Sequence, residues 1–196
     1  MNPPFTIAAF LRVFATCNAA IRPFQIAANG LGLLAFVPLL LPSKGLMRLA
    51  SVALAILWAF TAIGYHLMYF ATINPVTPVF AAAFVVQAIL FLTSAIQPAD
   101  VRLRLGSGFR TAAGLITIVY TVVICPILGI WAGHGLIAGP MFGVARCPTT
   151  MFTIGLLLLA RGRRVIWLSV IPFLWSLIGS AARPSAVPED IAKDFT

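Results

Sequence analysis

Long apolar runs that carry almost no charge, separated by short gaps that carry most of it, leave this chain one environment to fold in. The main runs cover residues 24–41, 47–70, 79–96, 111–131 and 165–182, with a shorter one from Thr149. Runs of this length match a hydrocarbon core of about 30 Å when coiled into helix at about 1.5 Å per residue. A bilayer offers no water to the backbone, and helices satisfy their own polar groups within one segment. Composition agrees: 61% of residues are hydrophobic and 9% charged, where soluble domains carry about a quarter charged.

The expected fold is all-α, a polytopic membrane bundle with six transmembrane helices, an N-terminal interfacial helix and a re-entrant segment before a short fifth helix. Residues 1–22 form the interfacial amphipathic segment, 23–182 the six-helix membrane domain and 183–196 a polar, mobile tail. In the first of these, Phe5, Ile7, Phe10, Leu11 and Phe14 share a broad apolar side, with Arg12 and Thr16 away from it. That pattern suits a helix lying in the interface. Pro42-Ser43-Lys44-Gly45 ends the first crossing, and the aromatic segment Tyr65–Phe70 ends the second at a membrane–water boundary. Gln87 falls near the middle of the third, where an amide is expected to bond to a neighbouring helix. Cys125-Pro126 and Gly129 predict a kink in the fourth.

The stretch from Cys125 to Thr150 does not fit a plain loop. From Thr149 the apolar run lasts twelve residues before Arg161, about 18 Å as helix and well short of the core thickness. The preceding segment, in which Leu136, Ile137, Met141, Phe142 and Val144 alternate with glycines and Pro140, is expected to dip into the membrane and supply the missing depth. The rival is a fifth helix starting near Met141 and running through Pro148.

Six crossings place both termini on one side. The gaps on the opposite side hold eight basic residues (Lys44, Arg48, Arg102, Arg104, Arg110, Arg161, Arg163, Arg164) against five on the termini's side. By the positive-inside rule the basic gaps face the cytoplasm and both termini are extracytoplasmic. The net charge of +9 then orients the chain and meets anionic lipid, and nucleic acid is not an expected partner. His66, Asn74, His134, Cys147, Thr149 and Thr150 all come to the outer half.

All four acids (Asp100, Glu189, Asp190, Asp194) lie in a gap or the tail. Carboxylate-based proton and cation pathways, di-metal carboxylate sites and aspartyl proteolysis are thereby disfavoured. His66 and His134 either hydrogen-bond at headgroup level or, with Cys147, form a His-His-Cys site for a soft or borderline ion. Haem ligation by the two histidines is less favoured, because His134 lies in an irregular segment. In Cys147-Pro148-Thr149-Thr150, Pro148 suits the first helical position, and the helix start either caps itself or presents its N–H groups to an anion or carbonyl oxygen. A Cys147–His134 nucleophile pair is a third option, without an orienting group. The three cysteines form no framework, and free thiols are expected over a Cys17–Cys147 bridge.

PFTIAAFLRVFATCNAAIRPFQ, YHLMYFATINP, GHG, CPTTMFTIGLLLLA and IPFLWSLIGSAA resemble an uncharacterised bacterial multi-pass membrane family, catalogued as a domain of unknown function, over nearly the full length. The resemblance implies a bacterial cytoplasmic (inner) membrane protein and no particular activity or cofactor. In that family an aromatic often stands where Cys17 does, which makes Cys17 incidental, and proline often replaces Arg146, which weakens any role for that charge. The expected function is binding or translocation of a small solute or soft metal ion. An accessory subunit of a larger membrane complex, a homo-oligomer or a membrane enzyme are the alternatives.

Overall fold

The computed structural model describes residues 7–20, 22–131 and 146–181. It is mostly helical. Helix α1 spans Ile7–Ala20, α2 Arg22–Leu40, and α3 Lys44–Phe60, which runs on as a π-helix over Thr61–Leu67. Helix α4 spans Thr77–Ile96 and α5 Phe109–Val119, which passes through a second π segment, Tyr120–Ile124, into α6, Cys125–Trp131. Helix α7 covers Arg146–Leu159 and α8 Val165–Ala181. Two short strands, β1 (Arg102–Leu103) and β2 (Ala160–Arg161), pair antiparallel, Arg102 opposite Arg161.

Among the described residues three helices are long and apolar enough to cross a membrane: Lys44–Thr72, Thr77–Ile96 and Phe109–Leu128. Three further apolar helices are shorter, Phe24–Leu40, Cys147–Leu159 and Val165–Gly179. The apolar runs read from sequence are thus all helical where described, but only half reach membrane length. The re-entrant stretch Leu136–Val144 lies outside the described residues, as do His134 and the tail. Helix α7 extends back at least to Arg146, so Pro148 is not at its first position. Proline is accommodated there because N–H groups in the opening turn have no intrahelical acceptor. Its fourteen described residues account for about 21 Å of helix.

Helix α3 is the central element, packed between α2 and α4 and touching α7, while α7 lies against α5 and α8. Its buried side includes Met47, Leu54, Leu57 and Trp58, which join Phe84 and Phe91 of α4 and Phe152 and Leu156 of α7. At the α5–α7 crossing the backbones touch. A Cβ on Gly114 would stand 2.9 Å from the Gly155 carbonyl oxygen, and one on Gly155 2.6 Å from Ile118 Cγ1. Small residues are what allow helices to approach so closely.

The basic gaps gather at one end, and several arginines there close helices. Arg110 donates to the carbonyls of Leu157, Leu158 and Ala160 at the end of α7. Arg48 donates to Ala95 O near the end of α4, at 3.1 Å. Unsatisfied carbonyls carrying the negative end of the helix dipole favour such cations. Arg164 is bound by Asp100 at 3.1 Å, Thr93 and Gln97. The turn before it depends on Gly162, at φ 133°, where any Cβ would fall on the Asp100 carbonyl.

Candidate functional site

At the opposite end α3 widens into its π-helix. Two features favour this. Thr61 donates back to Leu57 O at 2.9 Å, a bond that loosens the helical ladder. Gly64 leaves room for the Phe60 ring, which would lie 2.9 Å from a Cβ there and stacks on Phe24 at 3.6 Å between centroids. Isolated π segments inside α-helices recur at functional sites.

His66 sits in this segment with no solvent exposure. It lies inside an aromatic shell. The ring centroids of Phe84, Tyr65, Trp175, Phe70 and Phe80 lie 4.8, 5.4, 5.6, 6.2 and 6.3 Å from its own. Phe80 and Phe84 come from the α4 face that also carries Thr77 and Gln87, spaced as one helical stripe. Trp175 arrives from α8.

The helices that form this shell also bury several polar groups. Gln87 donates to Leu168 O on α8 at 3.0 Å, as expected of an amide between helices, while its Oε1 is buried without a partner among the described residues. Thr77 Oγ1 and Thr150 Oγ1 are in the same position. Trp58, which touches Phe84 at 4.5 Å, donates through Nε1 to Thr153 Oγ1 at 2.9 Å. Thr153 in turn donates to Thr149 O. The start of α7 is thereby tied to the helices that hold His66.

Of the residues singled out from sequence, His66, Asn74, Thr149 and Thr150 are buried at this end of the bundle. Asn74 serves its own turn, with Oδ1 accepting from Val76 N at 3.1 Å ahead of α4. Cys147 is exposed. His134 lies outside the described residues, and so does its distance from His66. No group of three His, Cys, Asp or Glu side chains suited to a metal occurs among the described residues. The three cysteines are free thiols. Cys17 is wholly buried, with Val13, against Tyr65 and Phe70, so α1 covers this end of the bundle. Burial pushes its thiol up to about 11.

Sequence reasoning missed Trp58, Thr153, Phe84 and Trp175. A signal existed in the i, i+3, i+7, i+10 spacing of Thr77, Phe80, Phe84 and Gln87. It was hidden because α4 is apolar on every side.

These features define a class: an apolar helical protein, with three helices of membrane length, built round a buried histidine in a polar and aromatic setting. The chain belongs to the family of unknown function DUF6064, which matches residues 7–194. No curated protein and no solved structure matches it.

Proposed function

We propose that the protein crosses a bacterial inner membrane six times and binds or passes a small solute or soft metal ion at the His66 end of the bundle. Membrane residence is supported by helices that are apolar on both sides. Val79, Val86, Ile89 and Ile96 of α4, and Ile116, Val119, Val123 and Ile127 along α5–α6, are all exposed. A contiguous apolar surface of that kind is rare on soluble proteins. The basic gaps lie together at the end opposite His66, so on the proposed topology they face the cytoplasm and the site faces outward.

The observation that carries the binding reading is His66 itself, fully buried in a π-helix, with Thr77 and Gln87 burying side-chain oxygens on the α4 stripe that carries Phe80 and Phe84, and Thr150 burying one at the start of α7. An ionisable side chain buried in a membrane bundle is costly and is by default a candidate functional site. Asn74, Thr149 and Thr150 frame the outer entrance in this proposal. For a metal, His66, His134 and Cys147 are the ligands; for a neutral solute, His66 and the threonines are the hydrogen-bonding set.

Full-length protein purified in mild detergent and subjected to elemental analysis and native mass spectrometry tests this. We expect one retained species that is neither detergent nor phospholipid, lost in a folded His66→Phe variant. A metal should also be lost on Cys147→Ser and His134→Ala. If His66→Phe leaves every retained species unchanged, the proposal is wrong. A chain stable only beside a co-purifying membrane protein favours the accessory-subunit reading instead.

A further inference from the structure

The basic end carries a second feature, separate from the His66 site. A cavity of about 390 Å³ opens between α4 and α8. Its walls divide by chemistry. Leu90, Leu168 and Trp167 make an apolar side, while Arg163, Arg164 and Ser94 lie on the polar side. Asp100 also lines it, but its carboxylate is held by Arg164 at 3.1 Å, and Arg164 is further engaged by Thr93 and Gln97. Arg163 has no hydrogen bond or ion pair among the described residues. The cavity therefore carries one uncompensated positive charge, next to the first turn of the seventeen-residue helix α8, whose N–H groups favour an anion. Gly162 fixes the turn that sets Arg163 there, since its φ of 133° and its contact with Asp100 O admit no side chain.

We infer that this cavity is a binding site for a phosphate group, with Arg163 as its charge partner. The apolar wall fits the first acyl carbons and glycerol of an anionic phospholipid, and Trp167, 68% exposed, suits the level of lipid headgroups. Free phosphate shares the headgroup's chemistry but makes no use of the apolar wall.

The test is native mass spectrometry of the full chain in detergent, titrated separately with a short-chain phosphatidylglycerol, the matching phosphatidylcholine and inorganic phosphate. Phosphatidylglycerol should bind more tightly than phosphatidylcholine, and Arg163→Gln should weaken it at least about fivefold. Arg104→Gln, at the same end but outside the cavity, should leave binding unchanged. Phosphate binding with the same Arg163 dependence and no gain from the lipid tail supports the phosphate site and assigns it to a soluble anion. Equal losses in the two variants mean diffuse attraction to the basic end, and overturn the inference. So does phosphatidylglycerol binding that is indifferent to Arg163→Gln, or no binding by either probe. Arg163 is exposed and unpaired, so thermal unfolding of Arg163→Gln should match the parent, which separates loss of the site from loss of the fold.

Discussion

Single residues divide here between those that hold the bundle and those left over for chemistry. Cys17 belongs to the first group. Its thiol is completely buried and raised to about 11, so in the folded chain at pH 8 it should resist maleimide while exposed Cys147 reacts. The sign follows from linkage. The unfolded thiol ionises near 9 and the folded one near 11, so the stability Cys17 contributes is complete below the lower value and is lost as pH rises through the higher. Mass mapping after labelling at pH 8, native against denatured, checks this; native labelling of Cys17 would contradict its burial. Gly64 is constrained by its neighbour's ring rather than by its own backbone. Gly64→Leu should displace Phe60 from Phe24 and destabilise the fold by about 1–3 kcal/mol, read as a lowered unfolding temperature in detergent. Gly30 has nothing within 4 Å of an added Cβ, and Gly30→Ala should leave that temperature nearly unchanged.

Elements show how local chemistry alters a regular helix. In the fourth apolar run the ladder widens into a π segment over Tyr120–Ile124, just ahead of the Cys125-Pro126 step where the sequence predicts a kink; Pro126 removes one donor there and Thr121 donates back to Thr117 O at 2.7 Å. Helix α7 is held near its middle, where Trp58 donates to Thr153, and at its end, where Arg110 donates to its last carbonyls. Arg110→Gln removes the cation from the negative end of the helix and should cost about 1 kcal/mol. A melting curve identical to the parent's would deny Arg110 that role. The Gly114–Gly155 contact is more sensitive. Gly155→Leu would drive a side chain into Ile118 and part α5 from α7, and should abolish monodisperse expression in detergent.

For the molecule as a whole, the arrangement is a polarity along one axis. Arginines and the strand pair close one end, while α1, the π segment of α3 and the start of α7 close the other. The proposed topology makes the basic end cytoplasmic. In a chain lacking native cysteines, Ser185→Cys should react with an impermeant reagent in intact cells, and Lys44→Cys only after the membrane is permeabilised. The reverse pattern would invert the topology and place the His66 site inside.

What the sequence determined by itself is the helical class, the rough bounds of its helices and the gathering of charge into gaps. Those follow from local rules, apolar run length and turn residues, that need no knowledge of neighbours. Gln87 was also legible, because a buried amide in an apolar run has few other ways to be satisfied. The site was legible in part. His66, Thr149 and Thr150 stand out as polar residues in apolar context, yet nothing local says that His66 turns inward among Phe80, Phe84 and Trp175. That depends on how α3, α4 and α8 rotate against one another, which packing decides. The same holds for Arg163 and Arg164, adjacent in sequence and equal in charge. Only the docking of the Gly162 turn on Asp100 gives Arg164 its partners and leaves Arg163 facing the cavity.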